Sequence, residues 1–402
     1  MAAALVLLAA IAFAPPPSFT VNLSLPARQR WKGALAKVLA VHPFEHSFRP
    51  TFAAHNESLF NKLTDSQWSV LTQNIKTYWA EQSEELKGIA EDFAAAGHPE
   101  VDFRYLSGWV WFHSLAHSDV LNQSLAPTIN RACTALLARD AAGRTIHVGN
   151  MDQSPESVRN CTLRVRFVDG SGGLKFQGVD WYWFTSSVTR AVRGGVASMQ
   201  ENWRTNPAPT PLSKMLDHIR TGHPVPHVWV FRKLLLMEPP PSFSALSSHL
   251  ATVPLAAPYY AVAAGPSGEG VVFARNETAS VLTSVLGGAP DTKAFLVQTN
   301  YDRDQADPSA DPRRTFAEGF LGALLSSDGG GGDAGHLNPL DLLAAAGAYP
   351  VHNPHTSYTA VMDPASGSLS AYVRDAMCPT DPVLAAVDSR YCGAAQEPSR
   401  SF

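Results

Sequence analysis

Apolar and charged positions alternate with a helical period across residues 31–97 of the chain. The pattern predicts a helical layer whose apolar side packs on the core, in preference to a face that docks on a membrane, because Lys and Arg are not concentrated on its polar side. A short strand precedes this layer, since Phe19, Val21 and Leu23 alternate with polar residues. The apolar positions of the helical pattern are Leu63, Trp68, Leu71, Ile75, Trp79, Leu86, Ile89 and Phe93.

Several β-hairpins are predicted in the rest of the chain. Residues 133–140 and 145–152 are two apolar runs on either side of Gly143, which is the signature of a hairpin. Residues 162–168 alternate strictly and return at 174–176 after a glycine-rich turn. Other predicted elements are a hairpin over 259–264 and 270–274, strands near 181–185, 188–192, 294–299 and 357–362, and helices over 207–238, broken by Pro224 and Pro226, and over 242–251.

This order of elements, helices first and then hairpins with inserted helices, predicts an α+β fold in which helices cover antiparallel sheets. The 402 residues are 45% hydrophobic and 16% charged, which is the composition of a globular protein. A net charge of -4 offers no electrostatic footprint for nucleic acid, so we expect no nucleic-acid partner.

The first 14 residues predict a signal peptide. They form an apolar run that is too short to span a bilayer, which needs about 20 residues, and small residues close it. The alternative is a buried N-terminal helix, which the prolines at 15–17 oppose. Five Asn-x-Ser/Thr sequons also favour a secreted or lysosomal protein. The candidate glycosylation sites are Asn22, Asn56, Asn122, Asn160 and Asn276.

Four cysteines are few for a secreted chain. Cys378 and Cys392 lie close together near the C-terminus and are a plausible disulfide, worth about 3 kcal/mol by loop-closure entropy. Cys161 lies within a sequon and is interpreted as a buried, unpaired thiol. Cys133 has no obvious partner, so three explanations remain for it from the residue alone: a core residue, a disulfide partner or a nucleophile.

His113 and His117 are four residues apart and can share one side of a helix. A metal site would need further ligands, and the sequence places none nearby at a usable spacing. We therefore predict ordinary core or surface histidines and no metal. The glycine-rich loops lack the context of a phosphate-binding loop, and no cofactor is expected.

The stretch that begins at Cys133 resembles the start of the β-subunit in the acid ceramidase and N-acylethanolamine acid amidase family. This family belongs to the choloylglycine hydrolase and penicillin V acylase group of N-terminal nucleophile hydrolases. The resemblance rests on residues 133–140, Gly143 and residues 146–152, and covers nearly the whole chain after the signal run. Further similar blocks follow in the same order: 19–31, 257–260, 268–272, 298–303, 311–315, and 372–375 followed by Cys378.

The resemblance implies an αββα sandwich that is made as a precursor and cuts itself between Ala132 and Cys133. Residues 15–132 would form a mainly helical α-subunit, and residues 133–402 the catalytic β-subunit of the resulting heterodimer. The new α-amine, with a pKa near 7.7–8.0, would lie beside a thiol with a pKa near 8.5, so proton transfer between them costs little. One residue would then supply both nucleophile and base.

The same resemblance implies roles for four further residues. Asp152 matches the aspartate that orients the Cys133 ammonium, and Asn300 matches the amide that binds the oxyanion. Arg313 matches an arginine that holds the catalytic network together. Glu201 falls where the family has a glutamate in the substrate-binding network.

Gly149 departs from the family pattern, which has an active-site arginine at this position. Arg144, Arg190 and Arg193 are the candidates to replace its charge in space. The leading interpretation is a lysosomal or secreted lipid amidase that hydrolyses ceramide or an N-acylethanolamine, drawn from a membrane surface or a lipid-presenting protein. The alternative is a catalytically impaired relative that binds lipid or a partner. Hydrolysis of a bile-acid or penicillin amide is disfavoured because the similar blocks belong to the ceramidase branch.

Overall fold

The computed structural model describes residues 15–120, 133–184, 189–205, 209–288, 294–327 and 336–373. The predicted signal peptide at 1–14, the sequon at Asn122, the peptide bond on the N-terminal side of Cys133, and the cysteine pair Cys378 and Cys392 lie outside these residues or reach beyond them.

Two β-sheets form the centre of the protein. The larger sheet has eight strands in the order β1-β4-β5-β6-β7-β8-β9-β10, and the smaller has five in the order β11-β2-β3-β12-β13. Strand β1 pairs with β4 in parallel, and the other pairs are antiparallel. The strands are β1 Ser18–Asn22, β2 Thr134–Arg139, β3 Thr145–Asp152, β4 Thr162–Val168, β5 Leu174–Trp181, β6 Arg190–Arg193, β7 Ala197–Trp203, β8 Tyr259–Ala264, β9 Gly270–Arg275, β10 Ser280–Val285, β11 Phe295–Gln298, β12 Thr356–Asp363 and β13 Ser368–Tyr372.

Helices cover the outer sides of both sheets. They are α1 Ala34–Leu39, α2 Phe48–Ser58, α3 Asp65–Tyr78, α4 Ala80–Ala95, α5 Phe103–Val110, α6 Phe112–Ala116, α7 Leu212–Gly222, α8 His227–Leu235, α9 Phe243–Thr252, α10 Arg313–Ser327 and α11 Pro339–Gly347. No helix in the described part of the chain is long and apolar enough to cross a membrane.

The β2 strand shows how the layers are built. Leu136 and Ala138 pack in one apolar cluster with helices α10 and α11, whereas Ala135 and Leu137 pack in another with residues of β8 and β9. Successive side chains of a strand point to opposite faces, so both faces of β2 are buried. The smaller sheet is thus sandwiched between helices and the larger sheet. Because both faces of β2 are buried, its apolar residues form a continuous run and do not alternate with polar ones.

The N-terminal helices pack on the outer side of the larger sheet, in the largest apolar cluster of the protein. The apolar positions of α3 and α4, such as Leu71, Ile75, Ile89 and Phe93, are completely buried. The core-facing interpretation of this amphipathic region is therefore confirmed.

The structure adds to or differs from the sequence prediction in several elements. The helical layer predicted over 31–97 consists of four helices, because Pro43, Leu63 and Trp79 adopt non-helical backbone between them. The strand expected over 181–185 ends at Trp181, where a 3-10 turn begins. Strands β7, β10 and β13 and helices α10 and α11 were not predicted.

Candidate active site

Cys133 lies immediately before β2, at the edge where the two sheets face each other, and its side chain is buried with a free thiol. Its φ of 69° is in the left-handed region, which a side chain with a Cβ disfavours. A non-glycine residue held there costs on the order of 1–3 kcal/mol. The thiol sulfur lies 3.4 Å from the sulfur of Met151 on β3. The backbone is thus strained at the residue that follows the expected cleavage point.

Arg313, the first residue of α10, connects three of the residues singled out by the sequence. Its Nη1 donates to the carbonyl oxygen of Cys133 at 2.9 Å and to Oδ2 of Asp152 at 3.0 Å. Its Nη2 donates to Oδ1 of Asn300 at 2.6 Å. Asp311 holds the other edge of the guanidinium with two hydrogen bonds of 2.7 Å. A planar, five-donor fork is what allows one side chain to bind four groups at once.

The Asp152 carboxylate, at the end of β3, is buried and saturated with donors. Thr356 Oγ1 donates to its Oδ1 at 2.6 Å, and Asn353 Nδ2 and Arg313 donate to its Oδ2. Burial raises the pKa of this carboxyl, and the charge of Arg313 opposes the rise. These contacts fix the carboxylate beside the Cys133 backbone, at a place where it can accept a proton-bearing amine.

Asn300 follows β11 and is completely buried. Its Oδ1 accepts from Arg313, and its Nδ2 donates to the carbonyl oxygen of Trp203 at 2.8 Å. The orientation of the amide is therefore determined, with the oxygen toward the guanidinium and the nitrogen toward β7. Arg313 joins Asn300 to Cys133 through two hydrogen bonds.

Gly149, where the resemblance implies an arginine, faces the larger sheet, and the space beside it is filled by another side chain. A Cβ on Gly149 would lie 1.7 Å from Oε1 of Gln200. Gln200 is completely buried and donates to the carbonyl oxygen of Thr134 at 2.9 Å and to Oδ1 of Asn202 at 2.7 Å. No larger residue fits at position 149 while Gln200 holds this place.

Arg190 on β6 brings a positive charge to the thiol instead. It is completely buried, and its Nη2 donates to the carbonyl oxygen of Asn150 at 2.9 Å. Burial raises the pKa of the Cys133 thiol, while the charge of Arg190 and a hydrogen bond from its guanidinium oppose the rise. Of the three arginines considered from the sequence, Arg144 pairs with Asp140 in the surface turn, and Arg193 binds backbone carbonyls near the end of α8.

Glu201 on β7 does not pair with an arginine but with two histidines. Its carboxylate contacts Nδ1 of His113 and lies 3.3 Å from Nε2 of His227. Burial works against its ionised form, but the neighbouring His113 and His227 outweigh burial and hold its pKa well below the usual range. His117, the other histidine of the predicted pair, stacks on the ring of Trp203 at 3.5 Å. Glu201 and His227 come from distant parts of the chain, so the sequence spacing around His113 could not reveal them as its neighbours.

One cavity joins these two groups of residues. Cys133, Met151, Asp152, Glu201, His113 and His227 line it, together with the aromatic rings of Phe112, Trp181 and Trp203. An apolar wall with a few polar groups at one end is typical of a small-molecule site.

The four described sequons differ in the freedom of the asparagine side chain. Asn160 donates its Nδ2 to the carbonyl oxygen of His46, and Oδ1 of Asn56 is buried. Asn22 and Asn276 accept hydrogen bonds through Oδ1 from residues that follow them in exposed turns. These two are the better candidates for glycosylation.

Sequence reasoning missed several residues that hold the site. Thr356, Asn353 and Asp311 orient Asp152 and Arg313, and His227 completes the Glu201 cluster. Nothing in their local sequence marks them, except that Asp311 lies two residues before Arg313.

Comparison with known proteins identifies relatives of this chain. The chain is 30% identical over 267 residues to the N-acylethanolamine-hydrolyzing acid amidase of Oryctolagus cuniculus, covering 65% of this chain and 69% of that protein. It is 24% identical over 393 residues to the acid ceramidase of Heterocephalus glaber, covering 92% of this chain and 88% of that protein. The alignments with the mouse and rat amidases span 66% and 65% of the length of those proteins. No family model matches the chain.

The fold is also that of a solved relative. The Caenorhabditis elegans N-acylethanolamine-hydrolyzing acid amidase ortholog superimposes with a TM-score of 0.50 at 25% identity, over 60% of this chain and 99% of that chain. The αββα layering described above is the N-terminal nucleophile hydrolase fold. The chain belongs to the family of N-acylethanolamine-hydrolyzing acid amidases and acid ceramidases.

Proposed function

We propose that this protein is a lysosomal or secreted lipid amidase that cleaves the amide bond of a ceramide or an N-acylethanolamine, with Cys133 as its nucleophile. The observation that carries the proposal is the position of Arg313, whose guanidinium binds the Cys133 carbonyl, Asp152 and Asn300 at the same time. Three residues from distant parts of the chain, each matched to a family role, are thereby held at one point. The names of the relatives supply the substrate class.

The first step would be self-cleavage. The Cys133 thiolate attacks the carbonyl carbon of Ala132, the C–N bond breaks, and the acyl group passes to sulfur while the nitrogen takes up a proton as the new α-amine. Water then hydrolyses the thioester and leaves a free thiol. The left-handed φ of Cys133 favours this step, because φ is a restrained torsion only while the peptide bond to residue 132 exists. The products would be an α-subunit of residues 15–132 and a β-subunit of residues 133–402, after removal of the signal peptide 1–14.

Amide hydrolysis would follow the same chemistry. The free amine of Cys133 accepts the thiol proton, and the thiolate attacks the substrate carbonyl carbon. Asp152, fixed by Thr356 and Asn353, would hold the resulting ammonium. The second amide hydrogen of Asn300 would bind the oxyanion, and loss of such a donor raises the barrier by about 3–4 kcal/mol. The fatty acyl group forms a thioester as the amine leaves with the proton, and water releases the fatty acid.

Arg190 would supply the positive charge that the family arginine provides and that Gly149 cannot. It lies on the thiol side of Cys133, and a cation there stabilises the thiolate. This arrangement favours an active enzyme over the impaired, lipid-binding alternative that the Gly149 substitution suggested.

The test combines a gel with an assay. We expect the full-length secreted chain, after acidification, to run as two fragments on a denaturing gel. N-terminal sequencing should place Cys133 at the start of the larger fragment, which holds residues 133–402. It should release fatty acid from ceramide or an N-acylethanolamine at acid pH. Cys133→Ala should remain one chain and lose turnover. Cys161→Ala, which removes a second buried free thiol among the described residues, should still be cleaved and still turn over lipid. A single chain without turnover on either lipid would instead support the lipid-binding relative.

A further inference from the structure

The cavity that contains Cys133 also holds a second group of side chains with a chemistry of its own. His113 lies on α6, Glu201 on β7 and His227 at the start of α8, and all three are buried. They are separated by 88 and 26 positions in the chain, so only the fold brings them together. Two imidazoles and one carboxylate are a set that catalytic zinc sites use.

The distances fit one small ion. One ligand atom from each of the three residues lies within 4.8 Å of the others. Nitrogen and oxygen ligands lie about 2.0–2.2 Å from zinc, so two ligands of a tetrahedral site are about 3.3 Å apart. The upper limit of 4.8 Å between the three ligand atoms exceeds this spacing by about 1.5 Å at most.

Some polar atoms of the cluster make no hydrogen bond. Oε2 of Glu201 lies 3.3 Å from Nε2 of His227 but forms no hydrogen bond among the described residues, nor do Nε2 of His113 and Nδ1 of His227. A buried polar atom without a hydrogen bond destabilises the folded state, and more so if it is charged. A cation bound between the three residues would give Oε2 of Glu201 the coordination that its hydrogen bonds do not.

We propose that His113, Glu201 and His227 form a binding site for a divalent transition metal of the zinc class, in the same cavity as Cys133. The imidazole ligands select zinc, cobalt or nickel over magnesium and calcium, which prefer oxygen. Three protein ligands leave one position for water or for a polar group of a molecule in the cavity. The site does not depend on the amidase proposal, since its ligands do not include the nucleophile.

The experiment measures metal binding on the full-length chain without any assay of turnover. After treatment with a chelator, the chain is titrated with zinc chloride in competition with a chromophoric chelator. We expect one zinc per chain, and a loss of affinity of at least tenfold in Glu201→Gln and in His227→Gln. His117→Gln is the matched control, since this buried histidine stacks on Trp203 one turn from His113 without joining the cluster. Cys133→Ser should bind zinc as the unchanged chain does.

Two further measurements keep the outcome clear if a variant fails to fold. Zinc should raise the Tm of the unchanged chain, because an ion that binds only the folded state stabilises it. Cobalt should give the visible absorption of a tetrahedral site without the charge-transfer band of a thiolate. The proposal is overturned if zinc neither binds nor raises the Tm, if His117→Gln weakens binding as much as His227→Gln, or if Cys133→Ser abolishes it. None of these results bears on whether the chain cleaves lipid amides.

Discussion

Gly149 and Gln200 occupy each other's space: a Cβ on the glycine would lie 1.7 Å from Oε1 of the glutamine. The glycine belongs to β3 of the smaller sheet and the glutamine to β7 of the larger one, so the contact lies between the sheets. The space beside Gly149 is thus filled by a glutamine, and Arg190 brings a guanidinium to Cys133 from β6.

We expect Gly149→Ala to destabilise the protein by about 1–3 kcal/mol, because the added carbon overpacks the space between the sheets. Gln200→Ala should also destabilise it, since the carbonyl of Thr134 loses its donor. The two changes together should cost less than the sum, by at least about 1 kcal/mol. Urea unfolding of the four chains measures this. Strictly additive costs would show that the glycine and the glutamine do not share the space.

Arg190→Gln is expected to raise the pKa of the Cys133 thiol further and to reduce lipid hydrolysis by about tenfold or more, as for the loss of a hydrogen bond to a charged group. The pH dependence of alkylation by iodoacetamide in the Cys161→Ala background reports the thiol directly. Arg144→Gln is the control, because Arg144 pairs with Asp140 in a surface turn. An unchanged alkylation profile in Arg190→Gln would contradict the assigned role.

Arg313→Gln should destabilise the fold by about 3–5 kcal/mol. The change leaves Asp152 and Asp311 as buried carboxylates without their cation, and breaking a buried pair from one side has this cost. Arg313→Lys should recover only part of the loss, because an ammonium cannot donate to four groups in a plane. Chemical denaturation measures the loss. Arg28→Gln is the control, because it removes an exposed ion pair with Glu91 and should leave the denaturation midpoint almost unchanged. Comparable midpoints for Arg313→Gln and Arg28→Gln would rule out a central structural role.

Cys133→Gly should give a precursor that does not cleave and is more stable than Cys133→Ala by about 1 kcal/mol. Glycine adopts the φ of 69° without the clash that a Cβ meets there. Thermal unfolding of the two uncut chains compares them. If the alanine chain is equally stable, no strain is held at this residue.

The burial of His147 should make the stability of the folded state depend on pH. Burial lowers its pKa to about 3, so the folded state releases a proton that the unfolded chain, with a pKa near 6.5, still binds. The unfolded state binds more protons between these values, and stability therefore rises with pH through this window and is lost as pH falls toward 3. One such group contributes about 1.4 kcal/mol per pH unit. His147→Gln, which can still bond to Ser198, should flatten the slope between pH 4 and pH 6 by about this amount.

The slope, not the absolute stability, is the quantity to compare, since the substitution also changes packing. Urea midpoints at several pH values give it. A slope that His147→Gln leaves unchanged would show that this histidine does not titrate in the way its burial implies. His46→Gln, a change at an exposed histidine, is the matched control for the loss of an imidazole.

Local pattern alone determined much of the architecture of this protein. The hairpin after Cys133, the strand pair over 162–176 and the helices broken by Pro224 and Pro226 follow from alternation, turn residues and proline, which act over a few positions. The quoted blocks also indicated the family and the nucleophile. Strands β7 and β10 were missed because polar residues interrupt their apolar pattern, and in β7 those residues, Gln200, Glu201 and Asn202, are buried by partners from elsewhere.

Only the tertiary structure decided how the site is assembled. Which arginine reaches Cys133, which residues hold Asp152, and that His113 meets Glu201 and His227 all depend on contacts between residues far apart in the chain. No local pattern encodes such pairs, because hydrogen bonds and ion pairs are set by distances of a few ångströms in space and not by separation in sequence. The sequence alone identified Gly149 as a missing charge. The packing of two sheets against each other decided what stands in its place.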